Sequence, residues 1–180
     1  EGEPSTSLYI LLSGRAKVQR SDSEGKEVIL AVLSSGEFFG EMSLIDDSPR
    51  SASVITIESS DFMAINKDGF KAMLAQNTEM AMAVMRGLVK RLREADKKIE
   101  TLALLDVYGR VARVLLDFSE TQGGQRVIRS KLPRQEIAKM IGASREMVSR
   151  VMKGLEIDGY IVPMPEGKLV LREKISAYLN

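Results

Sequence analysis

RQEIAKMIGASREMVSRVMK, residues 134–153, is the stretch that decides how the chain is read. Ile137, Ala138, Ile141, Gly142, Val148 and Val151 fall where two short helices crossing at a tight turn need them. Ala138 is small enough to let the second helix approach, Gly142 makes the turn, and the aliphatics form a shared core. Ser144 suits the N-cap of the second helix. At about 100° per residue from Arg145, Ser149, Lys153, Glu146 and Arg150 lie on one arc of roughly 0–140°. Met147, Val151, Leu155, Val148 and Met152 lie between roughly 200° and 340° by the same arithmetic.

Many surface helices are amphipathic, so that separation alone is equally a plain helical hairpin. The content of the polar arc points to duplex DNA. Arg grips guanine O6/N7 with two hydrogen bonds and Glu accepts from cytosine N4. Arg134 and Gln135, at the start of the first helix, suit phosphate contacts that set a docking angle.

Working outward, YIVPMPEGKLVLR (160–172) reads as a hairpin turning at Pro165-Glu166-Gly167. Upstream, VYGRVARVLLDFSE (107–120) reads as a helix, TQGGQ as a turn and RVIRSKL (126–132) as a strand. Before these, residues 78–105 contain no Pro and one Gly, with apolar residues at 81, 85, 88, 92, 95, 99 and 102. Alternating steps of four and three are the heptad seam, over a helix of about 40 Å. Such a stripe predicts pairing with a second copy, the alternative being packing on the chain's own β-domain.

Residues 8–66 read as all-β. LYILLSG, RAKVQR, EVILAVL, SASVITI and DFMAIN are strand-like and separated by turn signals. Short strands at this spacing indicate a sandwich or barrel. The chain opens EGEPSTSLYILLSG, in a turn that enters a strand at once, which predicts residues preceding it in the parent protein.

One loop is over-equipped. GEFFGEMSLIDDSPRSASV (36–54) carries two Gly-Glu pairs and Arg50, where a turn needs only glycine. Gly40 permits close backbone approach, Glu41 accepts from a sugar hydroxyl, and Arg50 offers a planar fork to phosphate. From the residues alone, a surface Glu–Arg pair on a tight turn remains equally open.

Composition removes several classes. The 180 residues contain no Cys and no His. Disulfides, zinc fingers, Cys-ligated iron–sulfur clusters, His-ligated haem and His- or Cys-based catalysis therefore have no ligands or nucleophiles here. We expect no metal, no haem and no cluster, and a soluble, cytoplasmic chain without a membrane span. A nucleotide-processing enzyme would need Glu41 as its base without an acidic metal cluster beside it. Formal net charge is +1, but residues 1–106 carry −4 and residues 107–180 carry +5, as expected of two modules with the second facing a polyanion.

FFGEMSLIDDSPRSASV, the long helix running into LALLDVYGRVARVLL, and RQEIAKMIGASREMVSRVMKGLE together resemble the cAMP receptor protein/FNR (CRP/FNR) family of bacterial transcription regulators. The resemblance implies an α+β chain. Residues 1–76 would be a jelly-roll β-domain of the cyclic-nucleotide-binding type lacking its first elements, 77–106 a long dimerisation helix, and 107–180 a winged helix-turn-helix. It implies cAMP or a related cyclic nucleotide as effector, with Glu41 on the ribose 2′-OH and Arg50 and Ser51 on the phosphate. Gly40, Met42 and Ala52 would supply surrounding backbone, Val18 and Leu30 the apolar side, and Arg91 an arginine leaning in from the long helix. Where the family's cAMP receptors carry a Thr-Ser pair contacting adenine, this chain has Ala95 and Asp96, and Asp96 can accept from an adenine amine. For DNA, Arg145, Glu146 and Arg150 match the base-reading trio. Ser149 completes the pattern of the FNR branch, with Arg134, Gln135, Ser144 and Lys153 around them. The resemblance further implies a homodimer on palindromic, TGTGA-like half-sites and contact with RNA polymerase, and no enzymatic activity. A regulator of the same build answering a non-nucleotide signal, or constitutively active, is the alternative.

Overall fold

The computed structural model describes residues 1–129 and 131–179. The chain divides into two units, Glu1–Arg93 and Glu94–Asn180. In the first, six strands form two antiparallel sheets of three. They are β1 (Ser7–Ser13), β2 (Arg15–Ser21), β3 (Glu27–Ser34), β4 (Phe38–Phe39), β5 (Ser53–Thr56) and β6 (Asp61–Asn66). Sheet order is β4-β1-β6 in one and β3-β2-β5 in the other. Two short helices, α1 (Met42–Ile45) and α2 (Lys67–Gln76), precede the long α3 (Thr78–Leu104). Asn66 starts α2 by accepting from the Gly69 amide at 2.7 Å.

The core of this unit gathers Leu8, Leu44, Phe70 and Val84, with Phe38, Ile65 and Leu88 packed around them. That grouping divides the predicted stripe. Val84 is 8% exposed and Leu88 joins the same cluster, so position 88 of the stripe packs with the unit's own β-domain. The large apolar residues left exposed are Met82, Met85, Val89, Leu92 and Ile99, with Leu102 and Leu104 beyond them. Positions 85, 92 and 99 keep their place. Met82 and Val89 are exposed beside them where Ala81 and Leu88 are half-buried, and position 96 continues that spacing. On that spacing Asp96 falls within the exposed stripe, while Arg91 reaches Glu41 and Phe38 of the β-domain. The sequence pattern missed this because two apolar stripes share one helix, and a strict heptad fits either.

In the second unit, α4 (Val107–Asp117) is capped by Asp106, which accepts from the Gly109 amide at 2.8 Å. There follow β7 (Glu120–Gln122), β8 (Gln125–Ile128), α5 (Arg134–Ile141), α6 (Arg145–Ile157), β9 (Ile161–Pro163) and β10 (Leu169–Leu171). The strands form one antiparallel sheet in the order β7-β8-β10-β9. Of the strand predicted over 126–132, Ser130 lies outside the described residues. A single core holds Val111 and Leu115 of α4, Ile137 and Ala138 of α5, and Val148, Met152 and Leu155 of α6. Ile128, Leu171 and Ile175 close it from the sheet side and the C-terminal 3-10 turn.

Candidate ligand pocket and nucleic-acid interface

β4 ends at Phe39, and Gly40 then takes φ +86, a left-handed conformation that strains any residue with a Cβ. A Cβ built there would also collide with the Arg50 guanidinium. Arg50 reaches back from the far end of the loop and donates through Nη1 to the Gly40 carbonyl at 2.9 Å. Through Nη2 it donates to the Ser7 carbonyl at 2.5 Å, and its head sits 5.9 Å from the Tyr9 ring centroid. A guanidinium carries five N–H donors, so these two bonds fix the fork while leaving others to offer.

Glu41, which leads into α1, is 1% exposed. Its Oε1 accepts from Arg91 Nη1 at 2.6 Å. Its Oε2 is buried with no partner. Arg91 also donates to the Phe38 carbonyl and lies 4.8 Å above the Phe38 ring. A buried carboxylate with one bare oxygen costs about 1–3 kcal/mol, which a hydroxyl donor relieves. The cluster therefore presents a carboxylate paired with Arg91 and keeping one open acceptor, beside an arginine held at fixed geometry.

Gly40, Glu41, Arg50 and Arg91 are thus brought together by direct bonds. Met42 and Ser51 touch, with Sδ 3.9 Å from Oγ. Val18 lies on β2 opposite Val54, with Ala52 just before that strand. Leu30 sits at the irregularity of the β2–β3 ladder and is 41% exposed. Asp96 is exposed and lies in the second unit. Sequence reasoning missed Phe38, Ser7 and Tyr9, which hold the two arginines through carbonyls and rings. It also missed the use of Gly87, the sole glycine of α3, where a Cβ would sit 2.7 Å from the Phe38 ring. That glycine lets the helix bring Arg91 down onto the loop.

In the second unit Gly142 takes φ 65 at the end of α5, and the Ala143 amide donates to the Ala138 carbonyl at 3.1 Å. Ser144 then caps α6, its Oγ accepting from the Met147 amide at 3.2 Å. Val148, Val151, Met152 and Leu155 are buried, while Arg145, Glu146, Ser149, Arg150 and Lys153 are exposed on the other side. Met147, placed on the apolar arc by periodicity, is 42% exposed; it stands at the edge of that arc in the first turn. Gln135 is exposed and Arg134 half-buried. Burial lowers the Arg134 guanidinium from its ordinary value, and nearby Glu156 pulls it back up.

Residues 1–77 match the cyclic nucleotide-binding domain family, and residues 109–174 the Crp-like helix-turn-helix domain. A CRP-like cAMP-activated global transcriptional regulator of Mycobacterium tuberculosis is 35% identical over 175 residues, covering 95% of this chain and 77% of the relative. The chain belongs to the CRP/FNR family. The cAMP-activated global transcriptional regulator CRP of Haemophilus influenzae is 38% identical over 159 residues, 86% of this chain and 71% of that one. Among solved structures, the c-di-GMP responsive global regulator CLP of Xanthomonas campestris superposes with a TM-score of 0.82 at 30% identity, covering 94% of this chain and 86% of that one. The chain is accordingly a ligand-responsive, DNA-binding transcription regulator whose effector class is the cyclic nucleotide. Members of this family are regulators, not enzymes. No described helix is long and apolar enough to cross a membrane.

Proposed function

We propose that the effector is cAMP or a close relative of it, held with Glu41 on a ribose hydroxyl and Arg50 and Ser51 on the cyclic phosphate. The observation that carries this reading is the bare, buried Oε2 of Glu41 beside the Arg91-paired Oε1. Gly40, Met42 and Ala52 supply the surrounding backbone, Val18 and Leu30 the apolar side, and Asp96 an acceptor for an amine on the base. Residues 1–76 act as the ligand-binding domain, 77–106 as the helix along which two copies pair, and 107–180 as the DNA-reading domain. Arg145, Glu146 and Arg150 read base edges with Ser149, while Arg134, Gln135, Ser144 and Lys153 meet the phosphate backbone. The paired chain binds a palindrome of TGTGA-like half-sites with centres about 34–36 Å apart and there meets RNA polymerase.

Switching such a pair from 1:99 to 99:1 takes about 5.5 kcal/mol of differential affinity, or about 2.7 per site. One charge-assisted Arg–phosphate contact plus a ribose hydrogen bond is of that order. Calorimetry of the full chain against cAMP, cGMP, cyclic di-GMP and inorganic phosphate tests the assignment. Cyclic di-GMP is included because the Xanthomonas campestris relative responds to it. Binding of cAMP abolished by Glu41→Ala and Arg50→Ala is expected. Heat from none of the three nucleotides, with DNA binding intact, leaves a regulator answering another signal or none.

A further inference from the structure

α4 serves as the platform for both helices of the reading head, and it grips each through a separate side chain. Tyr108 meets α6 at Gly154, where a Cβ would sit 3.0 Å from the tyrosine hydroxyl. Arg110, two residues on, meets α5. Its Nη1 donates to the Ile141 carbonyl at 3.1 Å. Ile141 is the last residue of α5, and Gly142 turns left-handed straight after it. The final carbonyls of a helix lack intrahelical donors and carry the negative end of its dipole, so a cation there satisfies both.

The rest of this side chain argues against a packing role. Arg110 is half-buried, and its Nε is a buried donor with no partner. Val111 and Ala112, which follow it on α4, and Ile141, whose carbonyl it meets, all belong to the apolar core. An apolar side chain would fill such surroundings without stranding a donor. The bare Nε offsets part of what the bond to the Ile141 carbonyl contributes. A charged group that leaves a donor stranded is a poor choice for stability but a good one for direction, because it fixes where one carbonyl points.

We infer that Arg110 is a positioning residue for DNA reading: from α4 it holds the last carbonyl of α5, and so sets the turn from which α6 departs. This rests on the DNA-reading function proposed above. A strut of this kind acts on discrimination between sequences more than on attraction to DNA, because phosphate contacts tolerate a small rotation and bidentate base contacts do not.

The test compares full-length wild type, Arg110→Met and Arg110→Lys on two duplexes. One is selected from a random pool by the wild-type chain, and the other is its scrambled counterpart. The ratio of the two affinities is the deciding quantity. Loss of one charge-assisted hydrogen bond is expected to lower that ratio about tenfold in Arg110→Met, with scrambled-duplex affinity within about twofold and the thermal midpoint little changed. Arg110→Lys, which keeps a donor able to reach the carbonyl, should recover at least half of the loss on a logarithmic scale. An unchanged ratio in Arg110→Met, or a lost ratio that Lys does not restore, overturns the inference. A wild-type chain that selects no duplex overturns the DNA reading itself, and the inference with it.

Discussion

The two functional regions of this chain hold their charges in opposite ways. In the pocket, Glu41 is buried, Arg91 lies across it, and Arg50 is tied to two carbonyls. On α6, Arg145, Glu146, Ser149 and Arg150 are exposed, with no intramolecular partner among the described residues. A small anion offers few contacts, so each must be strong, which requires a dry and pre-set environment. A duplex offers many phosphates and a groove of varied edges. Its reader gains from solvated side chains that adjust on arrival. Burial in one place and exposure in the other are therefore two answers to the size of the ligand.

The comparison breaks first at the reading helix. Arg150→Ala removes a base contact from each half-site of a paired chain. The expected loss for a selected duplex is about 2–6 kcal/mol, taking about 1–3 per half-site, with scrambled duplex weakened far less. Filter binding or fluorescence anisotropy measures both. Equal losses on the two duplexes would make Arg150 a phosphate contact and nothing more. Glu146→Ala, by the same method, should relax discrimination at one base pair per half-site, at about 1–3 kcal/mol per half-site against the wrong base.

Arg50→Ala is the counterpart in the pocket. It removes a charge-assisted contact, so nucleotide affinity should fall about 30- to 150-fold, corresponding to about 2–3 kcal/mol. Affinity for scrambled duplex should not move. Gly40→Ala is the finer cut, since it leaves every functional group in place. It forces a Cβ onto a residue at φ +86 and into the space of the Arg50 head. The strain is about 1–3 kcal/mol, and calorimetry should show about tenfold weaker nucleotide binding as the fork is displaced. An unaltered affinity would mean that the bond between Arg50 and the Gly40 carbonyl does nothing for the ligand.

The same contrast governs how much of each region is legible in the sequence. The reading head is local: both helices, the left-handed glycine and the cap lie within twenty-odd residues, and one period separates buried from exposed. Val148, Val151, Met152 and Leu155 are legible for that reason, and only Met147, at the arc's edge, departs from the pattern. The pocket is not local. Glu41 and its partner Arg91 are 50 residues apart, and Ser7 is 43 from Arg50. Arg91 comes from family resemblance alone, and the carbonyls of Ser7 and Phe38 come from nothing in the pattern, since any residue supplies a carbonyl. The two-residue β4 and the four-residue α1 are likewise too short to carry a period. α2 does leave a signal in its Asn66 cap, set beside the strand it follows.

The smallest expected effect lies on α3, where an acid is neither buried like Glu41 nor free of apolar neighbours like Glu146. Met82, Met85, Val89, Leu92 and Ile99 form the exposed stripe, and its regular spacing is interrupted only at Asp96. If two copies pair in parallel along that stripe, their Asp96 carboxylates face one another in the seam, with Arg93 one turn before and Glu100 one turn after on the same helix. A polar residue at a seam position costs stability and fixes register. Asp96→Asn keeps shape and hydrogen bonding while removing the like charges. Self-association of the ligand-free chain should tighten about two- to fivefold by sedimentation equilibrium, the scale of roughly 0.5–1 kcal/mol for an exposed ion pair. The gain should shrink between about 0.05 and 0.5 M salt as screening shortens. Asp96→Leu should tighten it further, since it adds apolar area where the stripe is broken. Self-association indifferent to both substitutions would mean that pairing does not run through position 96, and that the register set by Met85, Leu92 and Ile99 ends before it.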